Sequence, residues 1–451
     1  MKLLNARRSN LQWLEWLLMI AVAAGFVRMA YLTVKLGYLP QPFFFDTDDT
    51  WRDWFSTAVY AHEGGAYDSW LSIYPPLSFV ILKIVGLPRC YEFAFDKPAR
   101  QCDWVGVGAI HLIYIINIIL AARFFLKLDR RTALQRSFSL LVGMPMLFGL
   151  ERGNLALLCF TFLLLGFGPL VKSARLRWIF VGLAINLKVY LICGVIAQLL
   201  RRRWLWLEGV LIATLGIYLI TFAIYGAGTP KEIYDNIVNW SSGSTPNNPL
   251  DIWYPNTYIP LEYVLSKSTA PINYLLDSRV INFALTAIPI ATHSAQAIIL
   301  LASVAAWLRP EVVPVSRLTY FGLAFAMIAS ETSTYTQPFL FLFIFMESWK
   351  GWARPLAIAV CYILCIPGDI IIGQPAPVFE FSYIAGHYVT AEYGLSVGML
   401  LKPFLLLVPA YSLGMLTIFD VWKDVRGQGW RDRLRFRRDR PLLPGIIAPQ
   451  A

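Results

Sequence analysis

The sequence predicts an all-α polytopic membrane protein, and three observations carry that prediction. Only 15% of the 451 residues are charged and 57% are hydrophobic. Soluble domains carry about 25% charged residues, so a globule of this size would lack the polar surface needed to stay in water. The apolar residues also arrive in blocks, several long enough for the roughly 20 residues that a bilayer crossing needs. Finally, Lys and Arg fall in short runs between those blocks, at residues 127–136, 172–177, 201–203, 309–317, 350–354 and 423–440. That is the pattern of cytoplasmic loops under the positive-inside rule. The net charge of +11 is therefore read as topology, and no nucleic-acid partner is expected. The 16 Trp and 22 Tyr suit aromatic belts at the membrane interfaces.

The first apolar stretch, residues 11–34, is too long for the core of a cleavable signal, contains Glu15 and Arg28, and lacks a small-residue cleavage site. It reads as a retained helix whose start Arg7 and Arg8 hold in the cytoplasm. Residues 35–72 then form a long extracytoplasmic first loop. Further apolar stretches follow at 73–87, 105–126, 137–150, 155–171, 178–200, 204–225, 280–308, 318–330, 338–345, 355–372 and 395–421, for about 10–12 spans. With the basic runs inside, 137–171 becomes a hairpin with Glu151-Arg152-Gly153-Asn154 at its outer tip. Segment 178–200 has basic runs at both ends. Either it turns back within the membrane, re-entrant or broken, or it is one ordinary span with one basic run outside. Residues 226–278 form a second long outer loop, rich in Asn, Pro, Tyr and Trp. Residues 1–422 make the transmembrane unit and 423–451 a basic cytoplasmic tail. Cys159, Cys193, Cys361 and Cys365 lie in apolar blocks and read as small core residues. No Cys/His cluster has metal-ligand spacing. Cys90 and Cys102 bracket a polar loop and are free to pair if that loop is extracytoplasmic.

Four carboxylates stand in eight positions of the first loop, at Asp46, Asp48, Asp49 and Asp53, among Phe43, Trp51, Trp54 and Phe55. A carboxylate partly desolvated among aromatics is pushed toward a pKa useful for a general base. Residues 50–63 read as an amphipathic helix lying on the membrane, followed by Tyr74-Pro75-Pro76. Three more sites put polar groups where an apolar chain makes them costly: Glu151 to Asn154, Lys188 in Asn186-Leu-Lys188-Val-Tyr190, and Glu331 to Gln337. The bland alternatives are a solvated loop, a self-neutralised Glu151–Arg152 turn, a snorkelling lysine and a polar turn. An intramembrane lysine is by default a functional candidate. If these sites converge on the outer side, Arg152 and Lys188 suit an anionic group such as the phosphate of a lipid at the bilayer edge.

In this order the motifs resemble those of the bacterial GT-C glycosyltransferases that include polyprenyl-phosphate-mannose and arabinofuranose transferases of family-87 type. The resemblance runs over roughly residues 10 to 350. It rests on Asp49-Thr-Trp51-Arg52-Asp53-Trp-Phe55 soon after the first helix, Tyr74-Pro75-Pro76-Leu77 opening the next, Arg152-Gly153-Asn154 in a later hairpin, Lys188-Val-Tyr190, and the polar turn from Thr332 to Gln337. The sequence departs from the pattern in crowding four acids into the loop and in having Leu191 where relatives often have Pro. The resemblance implies a GT-C-type bundle in a bacterial inner membrane, with the site facing the periplasm. It implies an inverting transfer from a polyprenyl-phosphate sugar to a glycan or glycolipid acceptor in polysaccharide biosynthesis, with no cofactor or metal beyond the lipid-linked donor. Asp49 is then the expected base, ahead of Asp53 and Asp46. Arg152, Lys188 and Asn154 are expected at the donor phosphate, and Arg52, Tyr74, Tyr190, Glu331 and Gln337 at the substrates. The readings set beside it are a transporter or flippase of lipid-linked saccharides, and a polysaccharide polymerase or ligase.

Overall fold

Long apolar helices dominate the computed structural model, which describes residues 12–43, 46–92, 95–243, 265, 277–328, 333–372, 376–394 and 396–428. Helix α1 (Gln12–Leu36) leads into the acid-bearing loop and the short α2 (Arg52–Glu63) and α3 (Pro76–Val85). After α4 (Asp96–Cys102) come α5 (Trp104–Leu128), α6 (Ala133–Leu141), α7 (Met144–Arg152) and α8 (Ala156–Phe167). Next are α9 (Ala174–Ile185), α10 (Ile196–Leu200), α11 (Trp204–Tyr225) and α12 (Pro230–Gly243). Helices Ser278–Leu308, Val315–Met327, Gln337–Ile344, Ala353–Cys365 and Val397–Gln428 complete the bundle.

Among the described residues, six helices are long and apolar enough to cross a membrane, and four shorter apolar helices, Pro76–Val85, Ala156–Phe167, Val189–Leu200 and Ala353–Cys365, accompany them. Against the expectation of about 10–12 spans, several of them short, the described residues thus give six long apolar helices and four shorter ones. A 12-residue helix such as α8 rises about 18 Å, short of a hydrocarbon core of about 30 Å. Helix Gln337–Ile344 is buried at every residue. It has no polar face to turn toward water, as expected for a helix at the centre of a bundle.

The chain between the two basic runs around α9 turns back. Gly209 lies against the Trp178 ring and Gly182 against Thr214 and Ile217, so numbers rise together and α9 and α11 run parallel. Helix α8 runs the other way: Cys159 meets Ala184, whereas Gly166 meets Val181 and Arg177. The 12 residues of α9 climb about 18 Å. The 3₁₀ stretch of 7 residues, Val189–Val195, and the 5 residues of α10 return roughly 21 Å. Of the two readings of 178–200, the broken, re-entrant one is the structure. Lys188 stands at its turning point, on the same level as the α7–α8 tip.

The same bookkeeping places the basic runs at the end opposite the acid loop, next to the starts of α6, α9 and Val315–Met327. Two arginines buried at that end, Arg317 and Arg136, are paired with carboxylates, as an apolar interior requires. Arg317 makes bonds of 2.7 and 2.8 Å to the two Glu347 oxygens, and Arg136 Nε meets Glu15 Oε1 at 2.7 Å.

Two sequence expectations need correction. The helical reading omits an antiparallel β hairpin, β1 (Ala376–Ser382) with β2 (His387–Tyr393), paired from Ala376–Tyr393 to Ser382–His387. It folds over the acid loop: Thr47 Oγ1 donates to Phe381 O at 2.7 Å and Tyr383 N to Thr47 O at 3.1 Å. And α2 does not lie with its apolar face in lipid. Trp54, Phe55, Ala58 and Val59 are buried in the protein's core, because α3, α4 and α5 surround the helix. Most of the second long loop and the tail after Gln428 lie outside the described residues.

Candidate functional site

The acid loop is shaped by backbone contacts before any side chain acts. Trp51, with φ 62 and ψ 14, takes the left-handed conformation and starts α2, and its N–H donates to Glu151 O at 2.7 Å. That bond locks the loop to the C-terminus of α7, where Gly153 ends the helix at φ 61. A Cβ at Gly153 would stand 3.1 Å from both Trp54 Cβ and Ile110 Cδ1 and 3.2 Å from Trp51 Cα. Glycine is required there twice over, for the backbone conformation and for the approach of the loop. Gly153→Ala is expected to cost about 1–3 kcal/mol and to part Arg152 from the loop. A lowered thermal midpoint of the detergent-solubilised protein, together with lost activity, checks this. An unchanged midpoint would show that the turn adapts.

The four acids of the loop divide into two roles. Asp48 is structural. Its Oδ1 accepts from Arg100 Nη2 at 2.8 Å and its other oxygen pairs with Lys97. Arg100, itself buried, also donates to the carbonyls of Asp48 and Thr50 at 2.5 and 2.7 Å and lies 3.9 Å over the Tyr383 ring. Asp46 Oδ1 accepts from Asp48 N at 3.0 Å, closing its own turn. The remaining two, Asp49 and Asp53, face Arg152. Asp49 Oδ1 pairs with Arg52 at 2.7 Å and Oδ2 with Arg152 at 3.3 Å. Asp53 Oδ1 pairs with the other Arg152 nitrogen at 2.7 Å, and its Oδ2 accepts from Asn154 Nδ2 at 2.7 Å.

From Asp53 the contacts continue inward. Asn154 Nδ2 reaches Tyr74 Oη at 3.5 Å, and Lys188 Nζ donates to the same oxygen at 3.0 Å. Lys188 lies 4.3 Å over the Tyr74 ring and 5.7 Å from the centre of the Tyr335 ring. It is only 9% exposed, and among the described residues no carboxylate stands within ion-pair distance of it. The hydroxyl of nearby Tyr190 is buried with no hydrogen-bond partner among the described residues. The side chain of Asp53 is 21% exposed and that of Asp49 3%, so the cluster opens on the Asp53 side.

The two carboxylates are tuned in opposite senses. Burial pushes Asp49 above its ordinary value, and the charges of Arg152 and Arg52 only partly oppose it. Burial also acts upward on Asp53, but there Arg152's charge and hydrogen bond, with Asn154's donation, outweigh it and hold the carboxyl below its ordinary value. Pairs of acids pushed apart in this way are the arrangement in which one accepts a proton and the other stays ionised.

Of the residues singled out in the sequence, Asp49, Asp53, Arg52, Arg152, Asn154, Tyr74, Lys188 and Tyr190 come together. Asp46 stands at the edge, Gln337 is buried at the start of its helix two residues after Tyr335, and Glu331 lies outside the described residues. Arg152 spans the two carboxylates and does not pair off with Glu151 in a self-neutralised turn. Sequence reasoning missed Arg100, Asp96 and Tyr383, and held Tyr335 only as part of the polar turn from Glu331 to Gln337. The polar stretch between Cys90 and Cys102, joined by a disulfide in the structure, was the available signal for the first two. Among the described residues no three His, Cys, Asp or Glu side chains gather to hold a metal ion. No family model, curated protein or solved structure matches the chain.

Proposed function

We propose that the chain is an integral membrane glycosyltransferase that takes a sugar from a polyprenyl-phosphate donor and passes it, with inversion, to a glycan or glycolipid. The observation that carries this reading is one pairing: an acid with a raised pKa, Asp49, and a buried ammonium, Lys188, whose contacts among the described residues include no carboxylate at ion-pair distance, stand in one connected cluster at a membrane helix end. A proton acceptor and an anion receptor in one cluster are what displacement of a phosphate by a hydroxyl needs.

Asp49 takes the proton from the acceptor hydroxyl as its oxygen bonds to the anomeric carbon. The bond from that carbon to the phosphate oxygen breaks on the opposite face. The lipid phosphate departs with the electron pair, toward Lys188 and the Tyr190 hydroxyl, which has no hydrogen-bond partner among the described residues. Arg152 serves chiefly as the bridge that orients both carboxylates, which leaves the phosphate to Lys188. The half-exposed Arg52, paired with Asp49 Oδ1 and at 3.1 Å with Asp96, is the partner that an entering acceptor would displace.

The segregation of basic runs at the far end, and a Cys90–Cys102 disulfide at the near end, support an orientation with the site on the oxidising, periplasmic side of a bacterial inner membrane. The decisive test is incubation of the purified protein with a panel of polyprenyl-phosphate sugars and candidate acceptors, following release of free lipid phosphate. Release that depends on both acceptor and Asp49 supports the reading. Translocation of the intact donor in vesicles without release would make the protein a flippase.

A further inference from the structure

The exposed face of α2 leads away from the carboxylates to an aromatic platform. Asp53, Ser56 and Tyr60 are partly exposed at i, i+3 and i+7, which places them in a row on one side of the helix, while Trp54, Phe55, Thr57, Ala58 and Val59 are buried. Tyr60 stacks on Trp70 with ring centres 4.5 Å apart and planes 19° from parallel. One Trp70 face is covered by Tyr60, yet the residue is 41% exposed, so much of the indole remains open.

The loop that presents Trp70 is built, not loose. Ser69 N and Trp70 N both donate to Gly65 O at 3.0 Å, and Ser72 N donates to Ala66 O at 2.8 Å. From α12, Asn236 Nδ2 reaches Tyr67 O at 2.9 Å and Ser72 O at 3.1 Å. Leu71 is held at φ 47, a left-handed conformation that a branched aliphatic residue keeps only when its surroundings impose it. Between carboxylate and platform lie hydrogen-bonding groups: Ser56 Oγ donates to Asp96 Oδ2 at 3.2 Å, and Arg52 Nε meets the same oxygen at 3.1 Å.

We infer that this track is a saccharide-binding subsite, and that the acceptor is an oligosaccharide chain and not a single sugar. A sugar ring offers hydroxyls around its edge and a patch of C–H bonds on its face. A row of carboxylate, guanidinium and hydroxyl groups ending on an open indole matches both. The 7 residue steps from Asp53 to Tyr60 rise about 10.5 Å, more than one ring bridges. The reacting hydroxyl lies at Asp49 and Asp53 while a ring further along the chain stacks on Trp70. A tryptophan serving only as a belt residue would sit at headgroup level and have no preference among glycans.

The inference rests on the transferase reading for its reaction but not for its binding, so binding is measured by itself. Full-length Asp49→Asn protein in detergent is titrated with a panel of free oligosaccharides one to four residues long, using saturation-transfer NMR and equilibrium dialysis. Affinity should rise at least about ten-fold from one residue to three for some member of the panel. Trp70→Ala should abolish that gain, and Trp70→Phe should keep most of it. Turnover by otherwise unaltered protein should show the same dependence, as a ratio of kcat/KM for long over short acceptors that collapses in Trp70→Ala. Affinity that stays flat with length, or a gain that survives Trp70→Ala in correctly folded protein, overturns the subsite. Trp70-dependent binding without any release of lipid phosphate keeps the subsite and removes the transferase.

Discussion

Asp49→Asn should lower sugar transfer about 10²–10⁴-fold, the usual contribution of a general base, and leave the protein no less stable. The second half follows from the sign of its titration. Burial raises the folded-state pKa of Asp49 above its ordinary value. Its contribution to stability is therefore full below the unfolded pKa and is lost as pH rises through the folded one. At neutral pH the ionised carboxylate is a net cost, and a neutral amide of the same shape removes that cost. Asp53 has the opposite sign. Its folded pKa is depressed, so its stabilisation is present above the unfolded pKa and fades as pH falls through the folded one. Asp53→Asn should accordingly lower the thermal midpoint at neutral pH. The pair of variants separates catalysis from architecture, with initial rates and thermal unfolding measured on the same preparations. The pH profile adds a third readout. The active form has Asp49 ionised, so kcat/KM should fall as pH drops through a single-proton limb whose midpoint lies above the ordinary carboxylate value of 3.8. If Asp49→Asn keeps a tenth of the activity or more, with that limb intact, Asp49 is not the base.

The site was legible in the sequence where a polar group interrupts an apolar chain, because there the cost of burial marks it. That logic found the acid loop, the Arg152-Gly153-Asn154 tip and Lys188, and the structure joins them through Tyr74. It could not assign the acids. What distinguishes Asp48 from Asp49 is that Arg100, 52 residues on, clamps the one while Arg152, 103 residues on, faces the other. Partners at such separations leave no trace in local spacing. The same blindness made α2 a membrane-surface helix, since an apolar face says that something covers it and not whether that is lipid or protein. The hairpin 376–393 was hidden between two apolar stretches. Its alternation is plain only once the burial of Val389, Ala391 and Tyr393 on one face is known. Two flanking basic runs did limit 178–200 to a turn-back or a misplaced loop, and the parallel packing of α9 on α11 decides between them.

Lys188→Ala should raise KM for the lipid-phosphate donor about 10–100-fold, the worth of a charge-assisted hydrogen bond of roughly 1.5–3 kcal/mol, with KM for the acceptor held. The asymmetry comes from position. The acceptor approaches from the exposed side, where Arg52 and Asp53 lie, whereas Lys188 stands inside, behind Tyr74 and over its ring. An ammonium kept this far from water, with aromatic rings and a phenol as its contacts among the described residues, gains its best remaining interaction when an anion arrives. Free polyprenyl phosphate, the product, should therefore inhibit the parent protein competitively with the donor and inhibit Lys188→Ala far more weakly. A structural lysine predicts something else: a fall in kcat and thermal midpoint together, with both KM values unmoved. Tyr190→Phe supplies the finer test, because it removes only a hydroxyl that has no partner among the described residues. If that oxygen waits for the phosphate, the variant folds normally and loses donor affinity in the same direction as Lys188→Ala, by a smaller factor. An effect of Lys188→Ala on acceptor use alone would move the phosphate elsewhere and leave Lys188 as part of the acceptor wall.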